Sequence, residues 1–251
     1  MIVAAHQPHY LPWIGYLAKI ARADLFVVMD DLQFEARNFQ NRQRLKLAQG
    51  PAWLTVPIGR GVQTERLLDK RIAPATHSTQ HWQHRHWATL LTHYRRAPHF
   101  ARYAEPLRAV YTRPWTTLVE LDLHMLALAL EWLDIRTPIL RSSQLGLVGR
   151  RTARLVDLCT KLGAHAYLAG VGGSTAYLEV AQLQDAGIDL RWQQFTHPVY
   201  PQRYPECGFA SHLGFLDLLF NCGPGSREIL LAASRPARCP TWQPARAGGA
   251  P

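Results

Sequence analysis

The chain lacks the paired cysteines that mark zinc and thiol–disulfide proteins. It has four cysteines in 251 residues, and no two of them are spaced as CxxC. The absence of CxxC excludes a zinc knuckle and a thioredoxin-type site, both of which depend on that spacing. Scattered cysteines are typical of reduced thiols in the cytosol, so we expect a cytoplasmic protein.

Long apolar runs are also lacking. No run approaches the roughly 20 apolar residues that a membrane-spanning helix needs. Met1 is followed by a strand-like pattern, not by a basic segment and a long apolar core. We therefore expect neither a secretory signal nor an integral membrane segment.

Acidic residues are scarce. The chain has 18 Asp and Glu against 28 Lys and Arg, which gives a formal net charge of +10 at pH 7. The surplus favours attraction to polyanions such as RNA or nucleotides, although an Arg-rich composition that serves solubility explains it equally well. A non-catalytic module that binds RNA or glycan through a basic surface is accordingly one hypothesis.

Strand and helix patterns alternate at both ends of the chain. Ile2–Ala5 and Leu25–Met29 are apolar runs typical of buried strands, and the amphipathic segment Pro12–Ala23 between them predicts a helix. This βαβ unit predicts an α/β fold with a Rossmann-like parallel sheet. Apolar side chains at three- and four-residue spacing over residues 78–134 indicate a helical insertion.

We expect one α/β domain over residues 1–234, and no internal repeat is visible. The segment 235–251 holds four prolines and little core material. That composition predicts a disordered tail.

Polar side chains follow the first strand, where the carboxyl ends of parallel strands form the ligand-binding edge of open α/β sheets. His6 is the catalytic candidate, for proton transfer or phosphate contact, because the ordinary pKa of histidine lies near neutrality. The alternative is that His6 only satisfies loop carbonyls. Candidates for substrate contact in the same turn are Gln7, Tyr10, Trp13 and Tyr16.

The second strand ends in Asp30 and Asp31, which are also catalytic candidates. Paired carboxylates at a strand end hold Mg²⁺ or bind an amine or a hydroxyl group. An ordinary cap or turn is the equal alternative. Gln33, Asn41 and Arg42 follow, and their amide and guanidinium groups suit a carboxylate, sugar or phosphate on the substrate.

Later segments return polar groups to the same edge. The turn Gly170–Ser174 lies between a strand and a helical pattern, and its spacing matches neither a Walker loop nor GxGxxG. Backbone amides in such a turn bind anions, and the candidates are those of Gly172, Gly173 and Ser174. Tyr177 and Gln202 are further candidates for substrate contact.

Histidines recur at helical spacing in the insertion. His77, His81 and His84 fall at i, i+4 and i+7, which could present imidazoles to zinc. No carboxylate lies at a suitable spacing, and Trp82 and Trp87 indicate a packing face. We therefore predict no metal centre here.

These motifs resemble the WbqC-like family, which is named from bacterial O-antigen gene clusters. The resemblance rests on HQPHYLPWIGYLAKI (His6–Ile20), ADLFVVMDDLQF (Ala23–Phe34), NRQRLK with WLTVP, a YLAG…YL segment and YPQ. It covers the chain from Ile2 to about Gly223. The resemblance implies transfer of glycine onto an O-antigen sugar, the activity proposed for that family.

The turn His6–Tyr16 is also similar in position to the HxGH signature of nucleotidyltransferases and class I aminoacyl-tRNA synthetases, which cradles ATP phosphates. DDLQF (Asp30–Phe34) and STAYL (Ser174–Leu178) are similar to segments of pantothenate synthetase. Tyr16 stands where the final histidine of HxGH belongs, and no KMSKS-like lysine is visible. This similarity implies an ATP-dependent reaction.

We expect an amide-forming acyl or aminoacyl transferase that passes glycine or another small amino acid to an amine of a sugar or metabolite. Such a reaction needs a base for the amine proton and stabilisation of the developing oxyanion. The donor would be activated by ATP with magnesium or carried as aminoacyl-tRNA, which the positive charge suits. The alternative is a nucleotidyltransferase or glycosyltransferase that acts on a nucleotide-sugar.

Overall fold

The computed structural model describes residues 1–62, 64–74, 82–171 and 178–238, with the backbone alone for residues 236–238. The strands in these ranges are β1 (Ile2–His6), β2 (Leu25–Val28), β3 (Arg42–Leu47), β4 (Gly50–Thr55), β5 (Ile139–Arg141), β6 (Ala166–Ala169), β7 (Asp189–Phe195) and β8 (Ser234–Arg238). The α-helices are α1 (Ile14–Ile20), α2 (Trp82–Tyr94), α3 (Phe100–Thr112), α4 (Leu118–Trp132), α5 (Arg151–Leu162), α6 (Val180–Asp185), α7 (Phe215–Cys222) and α8 (Ser226–Ala232).

Six strands form one sheet in the order β5-β2-β1-β6-β7-β8, and β3 pairs with β4 in a separate antiparallel hairpin. The first five strands of the sheet are parallel to their neighbours, whereas β8 is antiparallel to β7. The predicted α/β fold is therefore confirmed. The chain leaves β1 towards β2 and β5 and later returns to β6 on the other side of β1. The topological switch point thus lies between β1 and β6.

Both faces of the sheet are covered by helices. Successive side chains of a strand point to opposite faces, so Ala4 joins one core layer while Val3 and Ala5 join the other. The layer on the Ala4 side contains α1, the insertion helices α2–α4, α7 and α8. The layer on the Val3 side contains α5 and α6. Burial on both faces explains why the central strands are apolar throughout.

Three helices, α2–α4, occupy the segment predicted as a helical insertion. The last of them begins at a capping box, in which the Thr117 hydroxyl accepts from the Glu120 N–H at 3.3 Å. In return, the Glu120 carboxylate accepts from the Thr117 N–H at 3.2 Å. Within the described ranges, no helix combines the length and the apolar character needed to cross a membrane.

The end of the chain differs from the prediction of a disordered tail from residue 235 onwards. Residues 235–238 belong to β8, whose backbone pairs with β7 from Phe195 back to Arg191. Without β8, the N–H and C=O groups along that edge of β7 would lack strand partners. Residues 239–251 lie outside the described ranges.

Candidate functional site

A cleft of about 660 Å³ opens at the carboxyl ends of β1, β2 and β6. It therefore lies beside the switch point, where open α/β sheets bind ligands. The turn after β1, the segment after β2 and the first turn of α5 supply most of its lining. Among the described lining residues, the groups that carry a full charge are Glu35, Arg151 and Arg154.

His6 ends β1 and lines this cleft, as predicted for the catalytic candidate. Its Nδ1 lies 3.1 Å from the carbonyl oxygen of Gln7. Because a carbonyl only accepts, Nδ1 must carry the proton, which leaves Nε2 with a lone pair. Burial, aided by the nearby Lys19 charge, lowers the pKa of His6 to about 4 in spite of the Gln7 hydrogen bond. The imidazole is therefore neutral at pH 7.

His9 and Tyr16 form an aromatic cluster with His6. The ring of His9 stacks on Tyr16 at 4.9 Å between centroids, and His6 meets both rings edge-on at 4.8 and 5.2 Å. His9 lines the cleft, whereas Tyr16 is buried and is not among the described lining residues. Burial and the neighbouring Asp122 carboxylate raise the pKa of the Tyr16 hydroxyl. Tyr16 thus packs behind the histidines instead of contacting substrate as predicted.

Lys19 is a buried charged group that sequence reasoning missed. Its Nζ donates to the Ala5 carbonyl oxygen at 2.9 Å, and burial lowers its pKa to about 7. Its charge acts on both His6 and His9. The sequence does contain a sign of this group, because Lys19 is the only charged residue between Leu11 and Ala21. We call His6, His9 and Lys19 the histidine–lysine cluster.

Gln7 lines the cleft as predicted and holds a carboxylate that was not predicted. Its side-chain NH₂ donates to Glu35 Oε1 at 3.4 Å, and its carbonyl oxygen accepts from Gln40 Nε2 at 2.9 Å. The other oxygen of Glu35 accepts from Asn38 Nδ2 at 2.6 Å. Glu35 is exposed, so its carboxylate remains accessible to a ligand.

Trp13 also lines the cleft as predicted. Its indole stacks on His212 with 5.2 Å between centroids and meets Phe195 edge-on at the same distance. A Cβ on Gly15 would lie 2.2 Å from the Trp13 ring, so only glycine fits beneath it. Gly15, in the first turn of α1, therefore leaves the space that the Trp13 ring occupies.

Asp30 is fully buried and is saturated by hydrogen bonds. It accepts from Arg141 Nε at 2.7 Å and from the Ser142 and Ser143 hydroxyls and the Ser143 N–H at 2.9–3.2 Å. Asp31 accepts from the Ser142 hydroxyl at 2.5 Å and pairs with Arg154. These donors occupy the carboxylate oxygens that a magnesium ion would need, so the pair does not fit Mg²⁺. We assign Asp30 a structural role in place of the predicted catalytic one, and Asp31 the role of orienting Arg154.

Three predicted substrate contacts are directed into the protein interior. The Tyr10 hydroxyl lies 2.8 Å from both His86 Nδ1 and the Tyr111 hydroxyl. The other two are Asn41, which donates to the Val56 carbonyl at 2.9 Å, and Gln202, which donates to Asp217 and the Ala210 carbonyl, each at 2.9 Å. None of the three is among the described lining residues, so all three support the fold instead.

Gln33 and Arg42 lie outside the described lining of the cleft as well. Gln33 is exposed and forms an isolated bridge with Arg66. Arg42 donates to the Arg37 carbonyl and lies 4.3 Å above the ring of Trp53 on the β3–β4 hairpin.

Several predicted residues lie outside the described ranges. They are Gly172, Gly173, Ser174 and Tyr177 of the anion-binding turn, and His77 and His81 of the helical histidine pattern. Gly170, which precedes that turn, does line the cleft.

The fold and the cleft together define a doubly wound α/β protein with a cleft at its switch point. The chain belongs to the WbqC-like protein family, whose sequence model matches residues 7–229. It is 32% identical over 230 residues to the uncharacterized protein Rv1507c of Mycobacterium tuberculosis, a match that covers 91% of this chain and 96% of that protein. No solved structure matches the chain significantly.

Proposed function

We propose that the cleft forms an amide bond by passing an acyl or aminoacyl group from an activated donor to the amine of a sugar or another small metabolite. The observation that carries this proposal is the state of His6. It is a neutral imidazole in the lining of the cleft, and the Gln7 carbonyl holds its Nδ1–H so that Nε2 is free to accept a proton.

The proposed step needs a base because the attacking neutral amine must lose a proton as it becomes an amide. The amine nitrogen bonds to the carbonyl carbon of the donor, and the carbon–oxygen bond to the leaving group breaks. His6 Nε2 takes the proton that the nitrogen loses and then releases it to the leaving group or to solvent. A pKa of about 4 favours that release.

Glu35 supports an amine as the acceptor. It is the only carboxylate among the described lining residues, and the hydrogen bonds described for its side chain come from the amides of Gln7 and Asn38. An ammonium group would add a charge-assisted hydrogen bond to this carboxylate, and it gives one proton to solvent before the amine attacks. Since Gln7 follows His6 directly in the chain, the amine would be bound close to the base.

The β3–β4 hairpin favours a donor carried on tRNA over one activated by ATP. Trp53 is 44% exposed, and the guanidinium groups of Arg42 and Arg44 lie 4.3 and 5.7 Å from its ring. Aromatic rings among basic residues are typical of surfaces that bind single-stranded nucleic acid. Phe39 connects this surface to the cleft, because it lines the cleft and lies 5.8 Å from Trp53. The same observation supports the alternative of a non-catalytic RNA-binding module.

Three assays on the purified protein separate these functions. Transfer of a labelled amino acid from charged tRNA to an amine supports the aminoacyl transferase, and ATP–pyrophosphate exchange that depends on an amino acid supports ATP activation. Unchanged small molecules, together with RNA binding that weakens steeply with salt, would contradict the enzyme and favour the binding module. Mass spectrometry of a ligand that co-purifies with the protein would identify the acceptor class directly.

A further inference from the structure

The histidine–lysine cluster contains a buried cation without a counter-ion. Lys19 is 3% exposed, and the hydrogen bond described for its Nζ goes to the Ala5 carbonyl. Among the described residues, no carboxylate forms an ion pair with it. A buried charge of this kind is unfavourable unless it becomes neutral or an anion comes close.

His9 contains a second buried group without a partner. The side chain is 5% exposed and lines the cleft, yet Nδ1 forms no hydrogen bond with any described residue. Stacking on Tyr16 explains why the His9 ring is buried. It does not explain why Nδ1 is left without a hydrogen bond. Buried polar atoms are nearly always paired, so an unpaired nitrogen beside a cleft indicates a ligand.

The first turn of α5 adds positive charge to the same cleft. Arg151 and Arg154 both line it, and the Arg154 Nε is buried and unpartnered although its other nitrogens contact Asp31 and the Leu147 carbonyl. The amino-terminal end of a helix also carries a partial positive charge. Against these groups, Glu35 is the single carboxylate in the described lining. Since two arginines outnumber one carboxylate in the described lining, the balance favours an anionic ligand.

We propose that His9 and Arg154 bind a phosphate group of the acyl donor, with the buried Lys19 as a positive charge behind them. That the ligand is the acyl donor rests on the proposed function. That the cleft has a phosphate site rests on the structure alone. The phosphate oxygens give the His9 ring N–H an acceptor, and the phosphate charge offsets that of Lys19, which is buried and is not among the described lining residues. The donor therefore carries a phosphate close to its acyl group, as both the terminal nucleotide of an aminoacyl-tRNA and an acyl adenylate do.

The test is equilibrium binding of inorganic pyrophosphate and of AMP, measured by calorimetry at constant ionic strength. Two variants remove groups of the site: Lys19→Met, and His9→Phe, which keeps an aromatic ring against Tyr16. Their matched controls are Lys161→Met, at a lysine paired with Asp157 on the surface of α5, and His86→Phe, at a histidine that is also 5% exposed but bonded to Tyr10. If Lys19→Met fails to fold, the comparison of His9→Phe with His86→Phe alone tests the site.

We expect wild type to bind at least one of the two probes. We expect Lys19→Met and His9→Phe to weaken that binding at least tenfold, and the two controls to stay within twofold of wild type. Tighter binding of AMP would indicate the phosphate of a nucleoside monophosphate, as in these two donors, and tighter binding of pyrophosphate would indicate the phosphates of ATP. Absence of binding by wild type, or equal weakening by variants and controls, would overturn the site. Because this experiment measures binding alone, binding that both site variants weaken would support the phosphate site even if the transfer assays detected no amide product and so rejected the proposed function.

Discussion

At the scale of single residues, two neighbouring strand ends carry ionisable groups with different tasks. His6 faces a cleft and is neutral, whereas Asp30 is buried and ionised beside Arg141. Burial alone raises the pKa of Asp30, but the hydrogen bonds from Arg141 and Ser143 outweigh it and hold the pKa below the ordinary range. Asp30 therefore stabilises the junction between β2 and β5, and His6 is the residue that we propose for the chemistry.

Replacing Asp30 with asparagine should destabilise the protein without any direct effect on the cleft. We expect Asp30→Asn to lower the free energy of unfolding at pH 7 by about 3 kcal/mol, because the buried ion pair with Arg141 is lost. An ionised Asp30 favours the folded state, so its contribution is complete above about pH 4 and is lost as the pH falls through its lower folded pKa. Urea unfolding at pH 7 and pH 3 measures both effects.

The control for this prediction is Asp69→Asn, which breaks an exposed pair with Arg66 and should cost less than about 1 kcal/mol. Equal losses in the two variants at pH 7, or a difference that grows towards pH 3, would contradict the structural role of Asp30.

At the scale of elements, the turn between β1 and α1 depends on the close contact of Trp13 with Gly15. The indole forms one side of the cleft and stacks on His212, which belongs to a distant segment of the chain. The β1–α1 turn and the segment before α7 are also joined by the bridge between Trp13 and Gly214. A change at Gly15 should therefore be transmitted to the cleft.

We expect Gly15→Ala to lower the free energy of unfolding by about 1–3 kcal/mol, because the new methyl group overlaps the Trp13 ring at 2.2 Å and displaces it. The matched control is Gly225→Ala, where a Cβ would meet no atom within 4 Å and the change should stay within about 0.5 kcal/mol. Urea unfolding of both variants checks this. If the two variants are equally stable, the contact does not constrain the turn.

At the scale of the whole molecule, stability should fall as the solution is acidified through the range in which free histidine titrates. Burial lowers the pKa values of His6 and His86 to about 4, and it also holds the pKa of His9 well below its ordinary value. The unfolded chain therefore binds protons that the folded protein excludes, and stability rises with pH between about 4 and 6.5. Thermal melts at pH 7, 6 and 5 should show a falling midpoint, with a shallower fall in His9→Phe. Buried Asp122 and Asp217 oppose this trend, because burial raises their pKa values. The comparison of variants is therefore decisive, and an equally steep fall in wild type and His9→Phe would contradict the burial of a neutral His9 ring.

Local sequence patterns predict much of the fold. The β1–α1–β2 unit, the helices of the insertion and the edge where the cleft opens all depend on apolar spacing, which is visible within short windows. β3 was missed because its basic residues obscure the strand pattern, and β8 because prolines and a lack of core residues made the segment look like a tail. β3 forms a strand because it pairs with β4, and β8 because it pairs with β7. Such pairing depends on contacts between strands and is not visible in the sequence of one strand.

The candidate site was harder to predict, because side-chain partners lie far apart in sequence. Tyr10 meets its partners His86 and Tyr111 at separations of 76 and 101 residues, and Asp30 meets Arg141 at a separation of 111. A polar residue at the correct edge can therefore point into the core. His6, Gln7 and Trp13 are the predicted residues that do line the cleft.

The most direct test of the central claim compares amide formation by wild type and His6→Gln in the assay that detects transfer. We predict that His6→Gln lowers the rate about 10²- to 10⁴-fold, because the base is lost, and leaves the thermal midpoint close to that of wild type. His124→Gln, at a histidine outside the described lining of the cleft, should keep the wild-type rate. Equal rates of amide formation in wild type and His6→Gln would contradict the account.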